Sequence, residues 1–361
     1  MTEHSRTALK WGLLGLAVHL AVVGLYLWKY DGNPQVFVHF GERSSVLGLA
    51  REVFGPDLLV PHSDGQDGQA FWVLARDPLL LDGREVIVPN IDRPAYRAQR
   101  IAYPALASPW RLGGEQALVW GLLVTNLLVV LAGGAAAALL ALELGAPARA
   151  SLAFSLSPGI VLTTVLDVAD GLALAALLAT LLALRRQRWG LAAAVATLAV
   201  LAKEATFLGL LGVAAFETSL PARARLRLLV VPAAAAISWA LYARWRLGWP
   251  GADVEEFVVP FFGYLDALRR GWIPVGNWLD AVVAFGLLPL GACVLVRLRQ
   301  RPSILLRAAV PFVLVVPFLS AQVLNLMFNT LRIFAPLVTL LWMDFYTPAP
   351  TSPERRPASA R

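Results

Sequence analysis

Apolar residues gather along this chain in long runs parted by short charged segments, and the runs are continuous rather than alternating. That pattern predicts helices instead of strands. Runs of about 17 to 25 apolar residues are long enough to cross a bilayer, where only a helix or a closed barrel satisfies its backbone. The first run is Trp11 to Trp28. It follows Arg6 and Lys10 and ends in Leu-Trp-Lys-Tyr with no small-residue cleavage site, which predicts a retained signal anchor. Residues 29 to 115 are polar and mixed. Further runs follow at about 116–141, 149–166, 170–184, 189–202, 205–217, 228–243, 278–296, 306–325 and 331–346, so that about ten transmembrane helices are expected.

The runs at 189–202 and 205–217, split by Lys203-Glu204, read either as a hairpin or as one long helix. Charge parity favours the hairpin. It puts Arg6/Lys10, Arg149, Arg185/Arg186/Arg188, Arg223/Arg225/Arg227, Arg297/Arg299/Arg301/Arg307 and Arg355/Arg356/Arg361, sixteen of the 31 basic residues, on one side. The positive-inside rule makes that side cytoplasmic. Both termini then lie in the cytoplasm, the Lys203-Glu204 tip faces outward, and two large segments, 29–115 and 244–277, are extracytoplasmic. The stretch from Thr347 onward, rich in Pro, Ser, Ala and Arg, reads as a disordered cytoplasmic tail.

Composition agrees. Of 361 residues, 58% are hydrophobic and 15% charged, with a mean hydropathy of +0.64. A soluble domain carries about 25% charge. These figures exclude a disordered, collagen-like or disulfide-built chain and predict an all-α integral membrane protein, one polytopic unit over 1–346 with the tail at 347–361. Cys293 is the only cysteine, so no internal disulfide forms. The net charge of +7 reads as sidedness, not as nucleic-acid binding. Trp11, Trp28, Trp110, Trp120, Trp245, Trp272, Trp278 and Trp342 fall at run ends and read as an interfacial belt.

The candidate chemistry begins in the first outer segment, with His62-Ser-Asp64-Gly-Gln-Asp67-Gly-Gln-Ala-Phe-Trp. The repeated Asp-Gly reads as a surface turn capping a helix from about Phe71. Alternatively, Phe71, Trp72, Val73 and Leu74 form an apolar patch along the membrane surface, which would hold Asp64 and Asp67 near the headgroups as bases toward a lipid-borne substrate. Arg97 and Arg100, three apart, share a helix face ahead of the second span. They read either as snorkelling arginines neutralised by Asp92 or lipid, or as a bidentate grip on phosphate.

Ala75-Arg76-Asp77-Pro78 and Asp92-Arg93-Pro94-Ala-Tyr96-Arg97-Ala-Gln99-Arg100-Ile-Ala-Tyr103-Pro104 follow, and later Leu201-Ala-Lys203-Glu204-Ala-Thr206 and Asn329-Thr-Leu-Arg332. Together with the topology, this chain resembles bacterial members of the glycosyltransferase C superfamily. The resemblance implies a polytopic enzyme that uses sugars carried on polyprenyl phosphate, with an acidic residue of the first outer loop as catalytic base. By position Asp67 matches the family's Asp-Gly-Gln-aromatic pattern, with Ala70 inserted before the aromatic; Asp64, in its own Asp-Gly-Gln, keeps the choice open.

Charges at membrane depth are costly, roughly 2.5 to 3.5 kcal/mol each on insertion scales. Lys203 and Glu204 are either a hairpin tip that reaches water, or a lysine on a lipid phosphate with a glutamate orienting it. Arg332, behind Asn325 and Asn329, is a snorkelling anchor or a further grip on the donor phosphate. Asp167 and Asp170 read as N-caps of the fourth span, or as an acidic partner for acceptor hydroxyls or for Mg²⁺ or Mn²⁺. No zinc-type His/Cys cluster, P-loop or nucleotide fingerprint is present in the sequence, so no resident metal is assigned. The segment 244–277, with Asp253, Glu255, Glu256 and several aromatics, reads either as part of an acceptor cleft or as a plain amphipathic loop.

The expected activity is therefore transfer of a sugar from a polyprenyl-phosphate donor to an envelope glycan, lipid or protein acceptor at the outer face of the cytoplasmic membrane. Asp67 or Asp64 would be the base, Arg97, Arg100, Lys203 and Arg332 would bind donor phosphate, and Glu204, Asp167 and Asp170 would support them. The rivals are a transporter or flippase of a lipid-linked saccharide, with Lys203-Glu204 as a broken helix at its site, and a non-catalytic envelope-assembly partner.

Overall fold

The computed structural model describes residues 2–61, 63–249 and 257–348. His62, Asp253, Glu255, Glu256 and the tail arginines lie outside them. Among the described residues the named elements are all helices, and an isolated antiparallel bridge joins Phe257 to Leu319. The elements that position the site are α1 (Glu3–Lys29), α2 (Asp67–Arg76), α3 (Pro94–Arg97), α4 (Glu115–Glu143), α5 (Pro158–Val165), α6 (Asp170–Arg185), α7 (Trp189–Ala202), α8 (Phe207–Phe216), α9 (Ala222–Leu247), α10 (Trp278–Gln300), α11 (Ile304–Val315), α12 (Met327–Ile333) and α13 (Ala335–Phe345).

A helix stands at each of the ten apolar runs, but length separates them. Four, α1, α4, α9 and α10, are long and apolar enough to cross a membrane; a fifth qualifies if Ala148–Ser155 and α5, bent by 52° at Ser157-Pro158, count as one. The others, α6, α7, α8, α11 and α13, have 16, 14, 10, 12 and 11 residues. At 1.5 Å per residue they rise only about 15 to 24 Å, against a hydrocarbon core of about 30 Å.

The charged contacts fix chain direction. Trp189, which opens α7, and Glu217, just past α8, line one hollow, while Lys203 between the two helices reaches Asp170 at the start of α6. The two helices are therefore a hairpin with Lys203-Glu204 at its tip. Arg185 at the far end of α6 belongs with Glu217, Arg301 and Asp344. One end of the helix array thus carries Asp67, Asp170, Lys203 and Arg332, and the opposite end carries Arg185, Arg301, Arg307 and Asp344.

The segment 29–115 is folded onto the array rather than looped away from it. Its short helices bury Phe37, Phe40, Trp72 and Tyr103 completely. Two expectations fail here. The helix starts at Asp67, not near Phe71, because Gly65 takes a left-handed turn (φ 71°) and Gln66 is extended. And Phe71 to Leu74 are no membrane-surface patch: Trp72 packs edge-on against Phe40 at 5.3 Å and Phe71 against Tyr103 at 5.5 Å, inside the core. An apolar run has no label for which apolar medium covers it. Among the tryptophans, Trp28, Trp245, Trp278 and Trp342 are well exposed, whereas Trp272 is fully buried beside Tyr264 and Phe285 and leaves the expected belt.

Candidate functional site

The site assembles from four interruptions of regular backbone. The first is the start of α2. Gly68 packs so closely under Leu166 that a Cβ there would stand 2.5 Å from the Leu166 carbonyl oxygen and 3.0 Å from that of Val38. This contact seats the first turn of α2 against the end of α5 and leaves the Asp67 carboxylate at a helix N-terminus, where the dipole favours negative charge. The second is α3, which Pro94 opens after Arg93 in a left-handed conformation (φ 49°). A 3-10 turn over Ala98–Arg100 continues it. In such a turn positions three apart eclipse, so Arg97 and Arg100 point the same way as the spacing predicts.

The third interruption is Lys203, whose extended backbone (φ −158°, ψ 118°) ends α7. Extension throws neighbouring side chains to opposite sides: Lys203 turns to Asp170 and Glu204 to Arg100. The fourth is α12, only seven residues long. Its first amide, Met327 N–H, donates to Asp280 Oδ1 at 2.8 Å, and its last turn presses on Gly159, where a Cβ would stand 2.3 Å from the Leu331 carbonyl oxygen. These contacts fix where Arg332 points.

The side chains form a continuous ion-pair chain. Arg97 donates through Nε and Nη2 to both oxygens of Asp92 (2.8 and 3.0 Å) and through Nη1 to Asp67 Oδ1 (2.6 Å). Arg332 donates to Asp67 Oδ2 (3.0 Å) and to Asp170 Oδ2 (2.9 Å). Lys203 completes Asp170 through its other oxygen. Beside this chain Arg100 grips Glu204 with two bonds, 3.1 and 2.7 Å, and donates to the Tyr96 hydroxyl at 2.6 Å. Four cations, Arg97, Arg100, Lys203 and Arg332, meet four carboxylates, Asp67, Asp92, Asp170 and Glu204, and Arg93, 3.8 Å from Asp92, adds a fifth cation, so the cluster carries one positive charge in excess.

Burial opposes ionisation of Asp67, but the guanidiniums of Arg332, Arg97 and Arg100 outweigh it and hold its carboxyl well below the usual carboxylate range. Glu204 is lowered in the same way, burial being overcome by Arg100. The groups border a cavity of about 190 Å³ that also takes in Tyr96, Gln322 and Asn329, with Phe257 and Leu319 at its apolar side. Asp67 keeps about a quarter of its side chain exposed there, whereas Arg332 is nearly covered.

Of the nine residues singled out from sequence, seven come together: Asp67, Arg97, Arg100, Lys203, Glu204, Asp170 and Arg332. Asp64 stands apart at the surface, paired with Arg43 at 2.7 Å with both side chains more than two-thirds exposed. Asp167 is fully buried, facing Tyr103 and Asn126 at 3.5 and 3.4 Å rather than any cation. Neither Asp167 nor Asp170 caps α6, whose cap is Ala169 with no side-chain bond. Capping gives way because Lys203 and Arg332 take the Asp170 oxygens. Sequence reading missed Tyr96, Gln322 and Phe257, although Tyr96 stood inside the quoted motif. Among the described residues no three His, Cys, Asp or Glu side chains converge as metal ligands, and the oxygens of Asp67 and Asp170 are occupied by cationic side chains.

Chemically, the arrangement offers one carboxylate between two guanidiniums at the mouth of a polar cavity. An anion entering it finds five cationic groups, Arg93 included, each ion-paired with a carboxylate of the same cluster. Comparison of the chain with protein-family models, with curated proteins and with solved structures finds no match.

Proposed function

We propose that this protein is an integral-membrane glycosyltransferase that moves a sugar from a polyprenyl-phosphate donor to an envelope glycan, lipid or protein acceptor at the outer face of the cytoplasmic membrane. The observation that carries the reading is Asp67 held between Arg97 and Arg332 at the cavity mouth. In this reading the ten helical runs are ten passes, several through short broken helices, and both termini are cytoplasmic. The cavity is smaller than the 300 to 1,000 Å³ of enclosed ligand sites. It therefore receives the phosphoryl sugar head while the prenyl tail stays between helices.

The transfer is a single displacement. The acceptor hydroxyl oxygen attacks the anomeric carbon, the bond from that carbon to the donor phosphate oxygen breaks, and the acceptor proton passes to Asp67. The anomeric centre inverts and polyprenyl phosphate leaves as an anion. Arg97, Arg100, Lys203 and Arg332 stabilise that developing charge, and a positioned base contributes about 10²- to 10⁴-fold. Because Asp67 is a weak base while both guanidiniums hold it, donor phosphate must draw at least one of them away before the proton can move.

The test is transfer of radiolabelled sugar from a defined lipid-linked donor in membranes holding the wild type, Asp67→Asn or Asp64→Asn. Loss with Asp67→Asn alone supports the assignment, and full transfer by both variants removes it. The broken helices at Lys203 and at Ser157-Pro158 favour one second reading, a transporter of a lipid-linked saccharide. It would move label across the bilayer without forming a new glycosidic bond. A non-catalytic assembly partner would tolerate every single carboxylate substitution.

A further inference from the structure

The end of the helix array opposite Asp67 holds a second charged hollow that the transfer reading does not use. Three elements lead to it from the cluster: α6 begins at Asp170 and ends at Arg185, α8 follows Glu204 and ends before Glu217, and Asp344 closes α13, which follows Arg332. Along α6 alone the separation is about 24 Å. The hollow has a volume of about 360 Å³, and a smaller one of about 160 Å³, bordered by Trp189, shares Arg185, Glu217 and Ile304 with it.

Its carboxylates are committed. Asp344, nearly fully buried, accepts from Arg297 Nε at 2.8 Å; Glu217 pairs with Arg307; Glu143 accepts from Arg186 Nε at 2.8 Å. Its remaining cations are not. Arg185 and Arg301 border the hollow, both are exposed, and neither guanidinium has an ion-pair or hydrogen-bond partner among the described residues. With the acids neutralised, the hollow presents two guanidiniums unpaired among the described residues beside an apolar lip of Leu144, Ile304 and Pro302.

We infer that this hollow is a binding site for the phosphate headgroup of an anionic membrane lipid, with Arg185 and Arg301 gripping the phosphate. A basic pocket between membrane helices is where such headgroups lodge, and the guanidinium fork matches phosphate oxygens in pairs. The apolar lip and the indole of Trp189 favour a lipid over a free anion, because they give the glycerol and upper acyl chain an unwetted surface. The inference rests on the geometry of this end and stands whether or not the Asp67 cavity transfers a sugar.

The experiment uses the full chain in phosphatidylcholine nanodiscs doped with phosphatidylglycerol, with lipid retention read by native mass spectrometry. Wild type should retain phosphatidylglycerol over phosphatidylcholine, and inorganic phosphate at equal concentration should not displace it. Arg185→Gln/Arg301→Gln should weaken retention about thirtyfold, the contribution of two guanidiniums at an anionic surface, while Arg185→Lys/Arg301→Lys, which keeps the charge but loses the fork, should fall between this variant and wild type. Arg223→Gln/Arg227→Gln, which removes two exposed arginines of α9 outside the hollow, should change nothing. All four positions are exposed, so the variants should melt as wild type does in pure phosphatidylcholine. The inference is overturned if there is no lipid preference, if inorganic phosphate displaces the lipid, or if the α9 double variant loses as much as the first.

Discussion

Replacing Asp67 by Asn separates a base from a mere ion-pair partner, because both roles predict tighter phosphate binding but only a base predicts loss of transfer. Asp67 lies 2.6 Å from Arg97 and 3.0 Å from Arg332. At an effective dielectric near 20, each contact carries a gross attraction of about 5 to 6 kcal/mol before desolvation is counted. A donor phosphate must compete with that attraction for the same guanidiniums. Asn removes the competing charge with almost no change of shape and makes the cluster more positive by one charge. The like-charge repulsion relieved between Asp67 and a phosphate about 6 Å away is about 3 kcal/mol at that dielectric, less after screening. Polyprenyl phosphate without a sugar should therefore bind roughly ten- to a hundredfold tighter to Asp67→Asn. Transfer should fall by about 10²- to 10⁴-fold. Binding is read by displacement of a fluorescent prenyl phosphate from detergent-solubilised protein, and transfer by radiolabel in reconstituted vesicles. Weaker or unchanged phosphate binding would refute the exchange of arginines between Asp67 and donor. Unchanged transfer would refute the base.

Three further outcomes follow. Asp64→Asn should leave transfer within about twofold and stability within about 1 kcal/mol, because the Arg43 pair it breaks is exposed; both are checked with the same radiolabel and melting assays. Gly68→Ala should lower stability by about 1 to 3 kcal/mol, since the added methyl meets the carbonyl oxygens of Leu166 and Val38, which are backbone and cannot swing away; a lowered melting temperature in detergent is the readout. Because the Asp67 carboxyl is depressed in the folded chain, its ion pairs contribute fully above the unfolded value of about 4, weaken as pH drops below it and are lost as pH falls through the lower folded value. The melting temperature should fall on acidification below about pH 4, less steeply for Asp67→Asn, while between about pH 5 and 9 Asp67 adds no slope.

The positions of the helices were legible because continuous apolar runs have one economical solution away from water, and a helix stands at each run. Their lengths were less so. Lys203 divides two runs in the sequence and two helices in the structure, but at 306–325 and 331–346 only Pro317 and Pro336 mark where α11 gives way to a 3-10 turn at Val316 and α12 breaks at Phe334, and apolar continuity overrode them. Candidate charges were legible as residue types in costly places. Their partners were not: Arg332 and Asp67 are 265 residues apart, and no local rule selects Asp170 over Asp167 for Lys203. Phe71 to Leu74 failed for a different reason, since protein core and membrane interface accept the same side chains.

The breaks and the charges explain each other. Of the five helices too short to cross a bilayer, α7 ends just before Lys203 and α8 begins just after Ala205, both bordering the cavity. The turn after α11 delivers Leu319 to it, α13 follows Ile333 on its wall, and α6 opens with Asp170, which is bound to two of its cations. A helix that stops inside an apolar layer leaves N–H and C=O groups unpaired, and such irregular backbone persists at depth only where it is covered by protein or lines a polar cavity. Ionised side chains need the same polar surroundings. One cavity meets both needs at once, and in this chain the helix breaks and the gathered charges share it. The short helices are therefore a property of the site, and the residues that interrupt them, Lys203 above all, are the ones that furnish it.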